Sequence, residues 1–421
     1  MSGIKDLKKI FGNGNTSSLR QLGILVSLVI IILLFNGLTD GLTISPTNLI
    51  NVVQQNSYIL ILAIGMVMVI IAGHIDLSVG SIAAFTGIIV AKLMNDFHVP
   101  WGLAIVAGLV LGLIIGAWQG FWVAYVGIPA FIVTLAGMML FRGLNQFVGN
   151  ADSVPVPDGY QALLSGYLPE VGPDTGYNNL TLLLGIIAIA AVIWREVRAR
   201  RTAVRTGAEL APIWVAILRL VLLIAIIAFA TFMFAGGRVG TSFPNSGIIL
   251  VLLVLIYSFV TRRTIVGRHI YAVGGNKRAA ELSGVKAKRI NFLVMMNMSM
   301  LASLAGMLYI ARAGASGPQD GINWELDAIA AVFIGGAAVA GGIGTVPGSI
   351  IGGLVMAFLN NGLQLLGVGS DKVLMIKGLV LLAAVAIDVI NKNSGRFSVI
   401  GALTARRNKS GDELGIPVNK S

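Results

Sequence analysis

The chain has 421 residues, 56% of them hydrophobic and 11% charged, with a net charge of +12 and no cysteine. Soluble domains carry about 25% charged residues, and the mean hydropathy here is +0.87. Composition therefore excludes a soluble globular protein, and the missing cysteine excludes disulfides and thiolate metal sites.

Apolar runs fall at roughly 21–39, 50–72, 76–94, 102–125, 129–148, 179–196, 212–235, 246–261, 291–313, 327–341, 349–366 and 373–390. Each is near the ~20 residues a helix needs to cross the hydrocarbon core. The pattern predicts an all-α polytopic membrane protein with about twelve transmembrane helices. An outer-membrane barrel would show alternating strands of about ten residues instead.

An even number of spans puts both termini on one side, and basic residues choose the side. The segments 1–20, 195–211, 262–290 and 391–421 hold 23 of the 30 Lys and Arg. This asymmetry predicts cytoplasmic N- and C-termini. It also accounts for the net charge without nucleic acid as a partner. The expected organisation is a cytoplasmic N-terminus (1–20), a transmembrane domain (21–390) and a basic cytoplasmic tail (391–421). No cleavable leader is evident in 1–20.

Taken in order, the first informative stretch is MVIIAGHIDLSVGSIAAFTG, residues 68–87. It sets His74 and Asp76 between two spans and Ser78 and Ser81 at a helix start. A carboxylate at membrane depth is costly and marks a functional candidate. Asp76 reads either as a cap of the following helix or as part of a solute path or gate. The external loop 149–178 has four acids, no Lys or Arg, and scattered proline and glycine. It reads as an irregular connector or as a landing surface for an extracytoplasmic partner. Residues 179–235 form an inserted helical pair.

Residues 262–290 are the longest polar island of the second half, with eight basic residues and one acid, Glu281. The sequence predicts a turn at IYAVGG and then a short helix with Asn276 as N-cap and Gly284 as stop. Such a helix suits either a groove in a partner protein or an anionic membrane lipid surface. Residues 331–367 are dense in glycine, which predicts broken or half helices around 73–81 and 335–348. Irregular backbone is tolerated at that depth only where protein or water covers it. Gly335 and Gly336 are gate candidates. Asn360, Asn361 and Gln364 are neutral donors and acceptors that suit sugar hydroxyls or interhelical bonds. Lys92, Arg142, Arg219, Arg312 and Lys377 sit near span ends, where snorkelling explains them. DLSVGSI at 76–82 also echoes IGTVPGSI at 343–350, a candidate parallel repeat.

Nothing in the sequence supports catalysis. There is no P-loop, no Ser–His–Asp set and no carboxylate pair. The three histidines are too far apart in sequence to suggest a zinc motif. No cofactor is expected.

GHIDLSVGS (73–81), GRHIYAVGGNKRAAELSGV (267–285), FIGGAAVAGGIGTVPGSIIG (333–352) and LNNGLQLLGV (359–368) resemble the permease subunits of bacterial ABC monosaccharide importers. The ribose/xylose/arabinose type is meant, with the xylose branch nearest. The resemblance covers roughly 45–390. It implies a multi-pass protein of the bacterial plasma (inner) membrane that works with an ABC ATPase subunit on a separate chain, an extracytoplasmic sugar-binding protein and a second permease copy. In that family the loop matching 267–285 contacts the ATPase, which implies coupling roles for Gly267, Tyr271, Gly274, Gly275, Asn276, Ala280, Glu281, Leu282, Ser283 and Gly284. The family usually has glycine where His74 stands. Other readings remain: an ion-coupled secondary sugar transporter, a membrane enzyme on lipid-linked sugars, and an ABC permease for a nucleoside- or autoinducer-like ligand.

Overall fold

A computed structural model describes residues 16–207, 213–237 and 240–393. The expectations for 1–15 and for 394–421 lie outside the described residues.

Every one of the twelve apolar runs contains a helix. Among the described residues, eight helices are long and apolar enough to cross a membrane, and Gly23–Leu38 and Val79–Asn95 are shorter apolar helices. In chain order the first five are α1 (Thr16–Leu38), α2 (Pro46–Ile71), α3 (Val79–Asn95), α4 (Trp101–Phe121) and α5 (Ala130–Val148). After α5 the chain makes β1 (Val154–Pro155), α6 (Asp158–Ser165), α7 (Asn179–Thr206), α8 (Ile213–Ala235) and α9 (Asn245–Arg263). The remainder is α10 (Ile265–Gly275), α11 (Lys277–Leu282), α12 (Ala287–Ala313), β2 (Ala315–Ser316), α13 (Trp324–Ile334), α14 (Val346–Leu365) and α15 (Ser370–Asn393).

The core is built on α2 and α12. Between Ile59 and Ile71 all residues of α2 are buried, an all-round apolar surface that only neighbouring helices can cover. Helices α9, α12, α13 and α14 supply that cover. On its other side α12 packs against α3 and α4. Contact with α4 is close because Gly108, Gly112, Gly116 and Gly120 recur every four residues along one face. Small residues at that spacing let backbones approach in lipid, and side chains or backbone of Met307, Ser303, Met296 and Phe292 fill the stripe.

Around this core the cover thins. Helices α7 and α8 pack mainly on each other and expose most of their apolar surface. Asn178 caps α7 by accepting from the Thr181 N–H at 2.9 Å, and Gly207 ends it in a left-handed conformation. The segment 149–178 is not simply an irregular connector. It holds α6, and β1 pairs antiparallel with β2. The fully buried Tyr160 of α6 donates its hydroxyl to the Met307 carbonyl at 2.9 Å.

The run 327–341 departs most from a full span. Helix α13 has 11 residues, about 16 Å at 1.5 Å per residue, half of a hydrocarbon core of about 30 Å. Residues 335–345 after it carry no helix, and neither do 72–78 between α2 and α3. These are the two stretches expected to be broken.

Candidate functional site

Helix α10 begins at Thr264, whose hydroxyl accepts from the Gly267 N–H at 3.2 Å. The sequence reading of IYAVGG as a turn is corrected here: Ile265–Gly275 is helical, with Gly267, Ile270 and Val273 buried against the bundle. Tyr271 donates its hydroxyl to the Gly344 carbonyl at 2.7 Å. At Gly274 the helix meets the end of α2, where a Cβ would fall on the Ile71 carbonyl oxygen. Only glycine fits there. That same carbonyl accepts the Gly342 N–H at 2.8 Å. Three distant segments, ending at Ile71, Gly274 and Gly342, thus touch backbone to backbone.

Asn276 then caps α11 as its sequence suggests, accepting from the Ala279 N–H at 3.0 Å. Gly284 turns the chain at φ +86°. The expected coupling residues divide by direction. Gly267 and Ala280 are buried and Tyr271 and Gly274 half-buried, whereas Gly275, Asn276, Glu281, Leu282, Ser283 and Gly284 are exposed. Leu282 is 85% exposed, a bare apolar side chain on the tip of the loop.

From Gly73 the chain runs irregularly to α3. Asp76 is fully buried and its Oδ1 accepts from the Ser78 N–H at 2.8 Å and the Ser78 hydroxyl at 2.6 Å. This corrects the reading of Asp76 as a helix cap, because Ser78 precedes the helix and occupies the N-cap position itself. The Ser81 hydroxyl bonds back to the Ser78 carbonyl at 2.8 Å. Gln119 of α4, fully buried and unmarked by the sequence reading, donates from Nε2 to the Ser78 hydroxyl at 2.8 Å. A lone glutamine inside an apolar span was the available signal. Glu325, 5% exposed, presses against the first turn of α3 at Gly80, while Arg142 lies 3.9 Å from its Oε1. One oxygen of Asp76 and one of Glu325 have no hydrogen-bond partner. The result is a buried polar seam linking α3, α4, α5 and α13.

The other gate candidates separate. Gly335 and Gly336 end α13, where their N–H groups bond the Ala331 and Phe333 carbonyls, and so lie beside the glycine turn. Asn361 instead exchanges two 2.9 Å hydrogen bonds with Asn48, at the opposite end of α2 from Ile71. Asn360 is half-buried and Gln364 exposed on the same far end of α14. The structure does not bring these three to His74 and Asp76. Lys377 is not a snorkelling residue: its Nζ sits 2.9 Å from both carboxylate oxygens of Asp327, joining α15 to α13. Among the described residues no group of three His, Asp or Glu is placed to hold a metal.

Beside the junction lies a cavity of about 460 Å³ on the face that carries the basic loop. His74, Asn291, Lys277 and Lys288 line it together with residues 123–131.

A family model described as a branched-chain amino acid transport system / permease component matches residues 48–385. The chain belongs to this permease family. It is 38% identical to the xylose transport system permease protein XylH of Haemophilus influenzae, over 87% of this chain and 96% of that protein. It is equally identical to XylH of Escherichia coli K12, over 90% and 95%. The ribose import permease protein RbsC of the same organism is 34% identical over 86% and 92%. No solved structure gives a significant match. With its apolar helices, membership makes this chain a multi-pass membrane protein and the permease component of an ABC transporter.

Proposed function

We propose that this permease carries a monosaccharide, xylose or a related aldose, inward across a bacterial plasma (inner) membrane. Sugar as cargo follows the names of its relatives, and xylose follows the higher identity to XylH than to RbsC. In this reading the exposed face of α11 docks on a separate ABC ATPase, an extracytoplasmic binding protein delivers the sugar, and two permease copies form the pathway. The face bearing 262–290 is then cytoplasmic.

The single observation behind the mechanism is the backbone junction of Ile71, Gly274 and Gly342. Motion of α10 and α11 has no soft side chain to absorb it there. It passes directly to the turn leading to Asp76 and to the glycine turn after α13. Packed elements of this kind shift between discrete arrangements rather than deforming continuously. The Asp76–Ser78–Gln119 seam is the part of the pathway wall we assign to the gate.

The test is reconstitution of the permease in proteoliposomes with candidate ATPase and binding-protein partners, followed by labelled xylose and ribose uptake. ATP-dependent uptake favouring xylose is expected. Uptake that needs no ATPase and collapses with an ionophore would replace this reading with an ion-coupled carrier.

A further inference from the structure

The arginine-rich end of α7 has no part in the transport reading. Its last turns carry Arg195, Arg198, Arg200, Arg201 and Arg205 against a single acid, Glu196. Leu183, Ile187, Trp194, Arg198 and Arg205 follow one another at spacings of four, seven, four and seven residues. At about 3.6 residues per turn they form one line along the helix. All five are exposed, Trp194 at 63%, and Arg201 beside the line is exposed as well. The opposite face is the packed one. Thr181 and Gly185 are buried there, and a Cβ on Gly185 would meet the Thr231 side chain of α8. The line therefore turns away from the protein, and its apolar half meets acyl chains.

Depth along this line is set by the helix itself. From Asn179 to Arg198 it climbs about 28 Å at 1.5 Å per residue, close to a hydrocarbon core of about 30 Å. Arg198 thus emerges where lipid phosphates begin, and Arg201 and Arg205 follow within about 10 Å. Two further observations are independent of that length. The Trp194 ring lies 5.3 Å from the Arg198 guanidinium, a cation–π contact made by the residue type that marks the membrane interface. Arg200, on another face, pairs with Glu196 at 3.5 Å. Among the described residues no carboxylate pairs with Arg198, Arg201 or Arg205.

We propose that Arg198, Arg201 and Arg205 hold the phosphates of anionic glycerophospholipids, of the phosphatidylglycerol class, with Trp194 seated at the base of the headgroups. Guanidinium forks suit phosphate oxygens. Three arginines without counter-ions select a lipid of net negative charge, since a zwitterionic headgroup already carries its own cation. The arginines continue a lipid-facing line without a break, so the surface they meet is the bilayer's rather than a second protein's. Helices α7 and α8 pack mainly on each other and reach the central α2 through α8. Bound headgroups therefore steady a hairpin that protein contacts hold on one side only. The proposal rests on α7 crossing the membrane, and on neither the cargo nor the ATPase.

The full-length chain is reconstituted in nanodiscs of equal parts phosphatidylglycerol and phosphatidylcholine with identical acyl chains. Native mass spectrometry then reads the ratio of the two lipids that the protein retains. Preference for phosphatidylglycerol is expected. Arg198→Gln, Arg201→Gln and Arg205→Gln should each lower that ratio about fivefold, and the triple variant should lose the preference altogether. Arg200→Gln removes the same charge from another face of the same helix and should leave the ratio unchanged. All four positions lie outside the packed face, and size exclusion checks that each variant is intact. Equal retention of both lipids by the unmodified chain, or an equal fall in Arg200→Gln, overturns the proposal. So does a triple variant that keeps its lipid preference but loses ATP-driven uptake, which would assign the arginines to the ATPase. No ATPase enters the lipid measurement, so its failure is separable from failure of the transport reading.

Discussion

Tyr271 and Gly274 sit one helical turn apart, and each commits α10 to a different neighbour. Tyr271→Phe removes a neutral hydrogen bond worth about 0.5–1.5 kcal/mol. It should slow ATP-driven uptake about two- to tenfold while leaving membrane insertion intact. Gly274→Ala is harsher, since its methyl meets the Ile71 carbonyl. ATP hydrolysis that continues while sugar uptake falls by at least an order of magnitude is the outcome expected in proteoliposomes. If Gly274→Ala transports normally, the junction does not carry the motion. Much at this scale was legible, because capping is local: Asn276 and Gly284 announce α11 within nine residues. The partners of Gly274 were not, since Ile71 and Gly342 are distant in sequence and backbone contacts leave no side-chain pattern. Gln119 escaped notice for a related reason. Its meaning comes from Ser78, which lies on another element.

Elements in this chain are defined as much by spacing as by apolarity. Gly112 faces the Ser303 side chain across the α4–α12 contact. Gly112→Leu should force the helices apart and abolish a monodisperse peak in fluorescence-detected size exclusion, whereas Gly102→Leu, with open space around it, should be tolerated. At the far end of α14, the reciprocal Asn48–Asn361 bonds lend themselves to a double-mutant cycle. Asn48→Leu takes away both bonds of the Asn361 amide, whereas Asn361→Leu leaves Asn48 its bond to the Thr43 carbonyl at 2.9 Å, and the coupling should be about 0.6 kcal/mol and no more than about 1.7 kcal/mol, the average and the maximum for polar pairs in a membrane protein. Additivity in thermal melts would show that the pair contributes nothing. The positions of the elements were readable from hydropathy, and the glycine density marked 335–348 as broken. The extent of α13 was not readable from hydropathy alone, because Ala337, Ala338, Val339, Ala340 and Ile343 keep 335–345 apolar although the backbone there is not helical, so an apolar run overstates the helix inside it.

For the whole molecule, the partition of 23 basic residues onto four segments makes a claim about sidedness that a chain without cysteine tests cleanly. Leu282→Cys on α11 and Val171→Cys in the loop before α7 are both exposed positions. In intact cells an impermeant maleimide should label the second and spare the first until the membrane is opened. The reverse pattern would place the basic loop outside and remove the ATPase from the mechanism. Family, class and the order of helices could all be read in advance. Which helix lies at the centre could not, because most spans are uniformly apolar and hydropathy does not say which surface meets lipid.

That centre has a consequence for how the protein is made. From Ile59 to Ile71 helix α2 is buried on every side, yet it is among the first to leave the ribosome, and α12, its largest partner across the core, is near the last. At ordinary synthesis rates roughly 10 to 40 s separate them. During that wait α2 must rest in lipid as an isolated span, its surface held by acyl chains that α12, α13 and α14 later displace. A central helix of this kind has two successive solvents. Its sequence is selected to be content in the first and preferred by the second.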